Sequence, residues 1–125
     1  MTPLQARASL DRQLARHGAN AILRRPVWTG GSSTGDDVTI RIAAQGFSPK
    51  ELTGSVVQGD TKVILSPTQI IAAGWPSAPQ VDGTDARVPI RGDKLVIAGR
   101  VRNIEAAAPI YLAGELVRIE LQVRG

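Results

Sequence analysis

The chain has 125 residues, no cysteine, a single histidine and a formal net charge of +4. This length is typical of one domain with one modest core, and the lack of cysteine excludes disulfide frameworks, thiolate metal sites and cysteine nucleophiles. Hydrophobic residues make up 42% of the chain and aromatic residues 3%, so the predicted core is aliphatic. No stretch reaches the roughly 18 apolar residues of a transmembrane helix, and we therefore expect no membrane partner.

Residues 1–18 predict an N-terminal helical arm. Thr2 and Pro3 supply a hydroxyl cap and a proline at the first helical position. Leu10 and Leu14 are four residues apart and belong to one narrow apolar stripe. Such a helix is marginal in isolation and needs a surface to pack against.

Residues 19–125 predict a β-domain. Val38, Ile40 and Ile42 alternate with polar residues, as in a strand with one buried face, and residues 117–123 repeat this alternation. Further strands are predicted at 19–27, 62–65, 94–97 and 100–105. Short strands with glycine-containing turns between them favour a mainly β fold, a small β-barrel or sandwich preceded by an α-helix.

Two long loops are predicted inside the β-domain. The first covers residues 29–37, where glycine, serine and aspartate dominate. The second covers residues 74–87 and contains prolines at positions 76 and 79. Short helical turns are expected at 48–51 and at 68–73.

The sequence offers little catalytic chemistry. His17 lies where the helix should end, and we interpret it as a cap that compensates the helix dipole. We therefore predict no enzyme activity, no cofactor and no metal site. The aspartates are adjacent to turn-forming residues and are interpreted as turn residues: Asp36, Asp37, Asp60, Asp82, Asp85 and Asp93. Trp75 has two interpretations, as an anchor of its loop to the core or as an interface residue.

The last third of the chain resembles the head-closure, or stopper, proteins of bacteriophage necks. The residues that carry the resemblance are 92–99, 102–105, 108–110, the Ala113-Gly114 turn and 116–125, with a similar strand in 58–60 and 63–67. The N-terminal helix is not part of the pattern.

This resemblance implies a β-barrel that assembles as a homo-oligomeric ring below the portal. The ring would close the DNA channel after packaging and join head to tail. The implied partners are the portal or adaptor ring and the tail proteins, with packaged DNA nearby but no sequence-specific readout. The implied location is the virion neck, and the host cytoplasm during assembly.

Candidate contact residues follow from this interpretation. The helical arm would dock on the portal or on a neighbouring subunit through Leu4, Arg7, Leu10 and Leu14. The two long loops are candidate channel or interface elements through Ser32, Ser33, Thr34, Trp75, Pro76 and Ser77. Trp28 is a candidate interface aromatic.

Two alternatives remain open. One is a tail-terminator or tail-completion ring protein, which is also a small β-rich ring subunit. The other is a small basic nucleic-acid-binding barrel of the oligonucleotide-binding type. Such a barrel would carry aromatics on its strands for base stacking, whereas Trp28, Phe47 and Trp75 fall outside the clearly predicted strands.

Overall fold

The computed structural model describes residues 2–29, 32–46, 60–76 and 85–125, with the backbone alone at 27–29, 32–34 and 46. In chain order the elements are α1 (Pro3–His17), β1 (Ala19–Thr29), β2 (Ser32–Gly46), β3 (Thr61–Leu65), α2 (Thr68–Ala73), β4 (Lys94–Ile97), β5 (Arg100–Leu112) and β6 (Glu115–Arg124). The strands close into an antiparallel barrel in the order β1-β2-β3-β6-β5-β4. The predicted fold, a mainly β domain preceded by a helix, is confirmed, and it is a barrel.

The barrel interior is filled by aliphatic side chains, as the composition predicts. Val38, Ile40 and Ile42 of β2 are all buried, and the alternate residues of β6 from Val117 to Val123 are buried as well. Closing the sheet gives every strand an inward face, and the alternating pattern places one apolar residue in two on that face. Trp75 is the one large aromatic in the described core.

Two tight turns connect the C-terminal strands. Ala98-Gly99 joins β4 to β5 and Ala113-Gly114 joins β5 to β6, and all four residues have positive φ, between 50° and 81°. Two consecutive left-handed residues are what a two-residue hairpin requires, because their twist matches that of the strands. Both predicted turns are confirmed.

The predicted loop at 29–37 is wrong. β2 begins at Ser32, and its first residues pair with β1 in a regular register from Arg24↔Asp37 to Thr29↔Ser32. Glycine, serine and aspartate have weak strand propensity, but the cross-strand partner decides the outcome. β1 likewise continues through Pro26, so Trp28 lies within a strand and the expectation that it would not is also wrong.

The remaining predicted segments are partly testable. α2 confirms the helical turn at 68–73, and its last residues lead into Gly74, which has a left-handed conformation. The helical turn at 48–51 lies outside the described residues, as does most of the loop at 74–87. β5 extends to Leu112, beyond the predicted strand at 100–105, because β6 pairs with it from Asn103 to Leu112.

Helix α1 packs against the barrel of the same chain. Thr2 forms a capping box with Gln5, and Leu10 and Leu14 are buried. Arg41 of β2 donates from Nε to the carbonyl of Leu14 at 2.8 Å, and from its terminal nitrogen to the next carbonyl. Positive charge on the last carbonyls of a helix offsets its dipole, so the barrel itself caps α1. None of the described helices is both long and apolar enough to span a bilayer.

Candidate functional site

Among the ion pairs of the described residues, the pair between Asp93 and Arg25 is the least exposed to solvent. The Asp93 carboxylate accepts two hydrogen bonds from Arg25, at 3.0 and 2.9 Å, and a third from the backbone N–H of Ile90. The Asp93 side chain is 3% exposed and that of Arg25 is 13% exposed. A bidentate pair with so little solvent ties β1 to the start of β4 and is costly to break from one side.

Trp75 continues this cluster. The Arg25 guanidinium lies over its ring, 4.6 Å from the ring centroid, and its Nε1 donates to the carbonyl of Asp36 at 2.8 Å. Trp75 is 4% exposed. Trp75 belongs to the buried core cluster, as the core-anchor interpretation predicts, and within the single chain its ring offers little surface to a partner.

A second buried carboxylate binds the C-terminal strand. Asp60 accepts hydrogen bonds from Gln122 at 2.8 Å and from Arg124 at 2.9 and 3.0 Å. Arg124 also lies 3.6 Å from Glu105, and its pKa is raised mainly by the hydrogen bond to Asp60. Asp60 thus joins the residue before β3 to strand β6. The other residues of its predicted turn, 58–59, lie outside the described residues.

The other aspartates divide into two groups. Asp36 and Asp37 lie in β2, so the turn interpretation is wrong for both, and Asp37 forms an exposed bidentate pair with Arg24. Asp85 does make the local bond of a turn residue, from the backbone N–H of Arg87. The Arg87 side chain lowers the pKa of Asp85 to about 2. Asp82 lies outside the described residues.

An open groove of about 490 Å³ runs beside β5. One wall is the segment 85–91, and the other is the part of β5 that follows Ile104. The lining residues are Asp85, Val88, Pro89, Ile90, Arg91, Ala106, Ala107, Pro109 and Tyr111. Ile90 is 43% exposed and Tyr111 is 45% exposed, so large apolar surface faces solvent here. Tyr111 donates its hydroxyl to Asp85 at 3.0 Å, and burial together with this bond raises the pKa of Tyr111.

The predicted contact residues are scattered. On α1, Leu4 is 70% exposed and Arg7 is partly exposed, whereas Leu10 and Leu14 are buried against the chain's own barrel and are not accessible for docking. Ser32, Ser33, Thr34 and Trp28 lie in the β1–β2 hairpin, and their side chains are outside the described part of the structure. Pro76 is half-buried, and Ser77 is not among the described residues.

Sequence reasoning missed the groove. Its signal is the run of three alanines and a proline at 106–109, which interrupts the alternation of β5 and is followed by Ile110 and Tyr111. Small residues and a proline on a strand favour an edge with room beside it. In the segment that supplies the other wall, residues 85–87 fall in the predicted loop at 74–87, and no element is predicted for residues 88–91.

His17 lies in the last turn of α1, as predicted, and is exposed. Within residues 2–29, 32–46, 60–76 and 85–125, no three histidine or carboxylate side chains are grouped so that they could hold a metal ion. Asp60 and Asp93 are each bound by arginine, which suits a structural role. The sequence matches no protein-family model and no curated protein.

Proposed function

We propose that the chain is a structural subunit of a tailed-phage neck. In this role it forms a ring below the portal, closes the DNA channel after packaging and joins the head to the tail. It acts through contacts with the portal or adaptor ring, the tail proteins and copies of itself, and it needs no cofactor. It resides in the virion and passes through the host cytoplasm during assembly.

One observation carries the proposal. Most of the residues that resemble head-closure proteins (92–99, 102–105, 108–110, 113–114 and 116–125) fold within one continuous unit of β4, β5 and β6. That same unit forms one wall of the groove and bears Ile110 and Tyr111, two of the exposed large apolar residues in the described chain. Exposed apolar surface of this kind marks protein contacts, which an assembly subunit needs.

The internal ion pairs support a rigid subunit. Asp93 with Arg25, and Asp60 with Arg124, join residues that are 68 and 64 positions apart in the chain. Rigid surfaces lose little conformational entropy when they associate. A tail-terminator or tail-completion ring would use the same features, and it is the alternative within this class.

A nucleic-acid-binding barrel is the second candidate, and one observation favours it. Arg7, Arg12 and Arg16 of α1 make no ion pair with a carboxylate in the described ranges, whereas most barrel arginines do. Unpaired arginines are the residues that neutralise backbone phosphates. This helix is therefore the surface to test for DNA contact.

The test is to mix the purified protein with the portal complex of the same phage and to measure mass by light scattering. The proposal predicts a complex that gains one ring of this subunit. Arg12→Gln/Arg16→Gln is the matched variant for the alternative. Two results together would replace the proposal with the nucleic-acid function. The wild type would bind single-stranded DNA but not the portal, and this variant would reduce the slope of log K against log [salt] by about 0.7 per arginine.

A further inference from the structure

The sheet has an open edge along β5. β4 pairs with β5 only from Arg100 to Asn103, whereas β6 pairs with it as far as Leu112. The backbone of Ile104 is still bonded, to Gly92 and to Asp93. Beyond that point, no described strand lies on the second side of residues 105–112. An unpaired edge of this length is a template for a strand from another chain.

The groove beside this edge suits a protein segment better than a polyanion. Its walls are mostly apolar, with Ile90 and Tyr111 exposed and small side chains between them. Each charged residue that lines the groove lies beside a residue of opposite charge. Asp85 pairs with Arg87 at 2.7 Å, and Arg91 lies 3.7 Å from Glu105. A rim of neutralised pairs gives no net attraction for phosphates, whereas an apolar floor favours a strand with apolar side chains.

The same chain carries a strand pair that could fill such an edge. The last β1 residue paired with β4 is Arg24, and β3 joins β2 only from Ile42. The five β1–β2 pairs from Arg25↔Asp36 to Thr29↔Ser32 therefore form a ribbon (25–29 and 32–36) with no third strand among the described residues. At about 3.4 Å per residue the ribbon is about 17 Å long.

The base of the ribbon is held firmly. Arg24 and Asp37 form a bidentate cross-strand pair, Arg25 is bound to Asp93, and Trp75 donates to the carbonyl of Asp36. These bonds fix the direction of the ribbon before any partner is met. Such preorganisation lowers the entropy cost of association.

We infer that the β1–β2 ribbon of one copy pairs with the open β5 edge of a second copy, in the groove beside residues 85–91. The inference rests on the proposed ring function and names its subunit contact. In a closed ring each subunit contacts its two neighbours through two different surfaces. The ribbon and the groove are two such surfaces. Pro109 has no N–H to donate, so the ladder is interrupted there and the apolar groove supplies the rest of the contact.

The first test uses one groove variant and one control on the full chain. Ile90→Asp places a charge in the groove, whereas Val101→Asp places the same charge on β5 at a residue that is 52% exposed and outside the groove. Mass is measured by light scattering across a concentration series, free and on the portal. We expect Ile90→Asp to weaken self-association about tenfold or more, and Val101→Asp to leave it unchanged. Circular dichroism melts establish that both variants fold.

A complementation test then asks whether the contact joins two different surfaces. Thr29→Pro removes a ladder N–H from the ribbon and leaves the groove intact, whereas Ile90→Asp leaves the ribbon intact. Neither variant should assemble alone, and an equimolar mixture should form dimers and nothing larger. If the mixture stays monomeric while the wild type assembles, or if Ile90→Asp and Val101→Asp act alike, the inference is overturned. If the wild-type subunits still bind the portal ring in that case, the proposed function is not contradicted.

Discussion

Two neighbouring arginines on β1 allow a sharp test of how burial sets the value of an ion pair. Arg24 binds Asp37 and Arg25 binds Asp93, and both pairs are bidentate with N–O distances between 2.9 and 3.1 Å. They differ in solvent exposure, which is 37% and 40% for the side chains of the first pair and 13% and 3% for those of the second. Asp93→Ala should therefore destabilise the fold far more than Asp37→Ala.

The magnitudes follow from that difference in burial. Removing one member of a buried pair leaves an uncompensated charge and costs about 3–5 kcal/mol. Asp93→Ala also removes the acceptor for the N–H of Ile90. An exposed pair is worth at most about 1 kcal/mol. For a domain of this size the Asp93 variant should lose roughly 10–20 °C in Tm, whereas the Asp37 variant should lose only a few degrees.

Urea unfolding followed by circular dichroism measures both free energies of unfolding. Arg25→Ala and the double variant Arg25→Ala/Asp93→Ala complete a double-mutant cycle that isolates the pairwise coupling. We expect the double variant to be less destabilised than the sum of the single variants, because no lone charge remains. Equal losses for Asp93→Ala and Asp37→Ala, or a loss below about 1 kcal/mol for Asp93→Ala, would show that the cluster around Trp75 does not hold β1 to β4.

Three further predictions address the helix, a turn and the pH dependence of stability. Leu14→Ala should cost about 2–5 kcal/mol in urea unfolding because the side chain is buried, whereas exposed Leu4→Ala should change stability by less than about 0.5 kcal/mol. Ala113 has a φ of 50°, and Ala113→Asn should raise the Tm by a few degrees because asparagine tolerates that conformation; an unchanged or lower Tm would contradict this. Asp85 has its pKa lowered to about 2 by Arg87. Its contribution is present above the unfolded pKa of about 4 and lost as the pH falls towards 2, so Asp85→Asn should flatten the stability profile in that window, and an unaltered profile would refute the assignment.

Local patterns predicted the parts of this fold that local rules govern. The alternation in β2 and β6 and the Ala-Gly turns depend on residues close in sequence, and all were correct. The pairing of β1 with residues 32–37 was missed because strand propensity there is weak and the partner strand supplies the order. The ion pairs at Asp60 and Asp93 join segments that are distant in the sequence, and no local sequence pattern predicts them.

The candidate surface was harder to predict than the fold. The docking prediction for α1 relied on an apolar stripe, but a stripe does not indicate whether the chain's own barrel or a partner will cover it. Leu10 and Leu14 are covered by the barrel, so Leu4 and Arg7 remain as the accessible part of that prediction. The β5 groove arises because residues 85–91 lie beside a strand edge, and that proximity is a property of the closed barrel.

The most direct test of the neck function is DNA retention in phage heads. Heads packaged without this protein would be purified, incubated with or without the purified subunit and treated with nuclease, and the protected DNA would be measured. If the subunit closes the channel, heads without it lose their DNA and the added subunit restores protection. Ile90→Asp should restore less protection than Val101→Asp. Heads that keep all their DNA without the subunit would contradict channel closure and would favour a role in completing the tail.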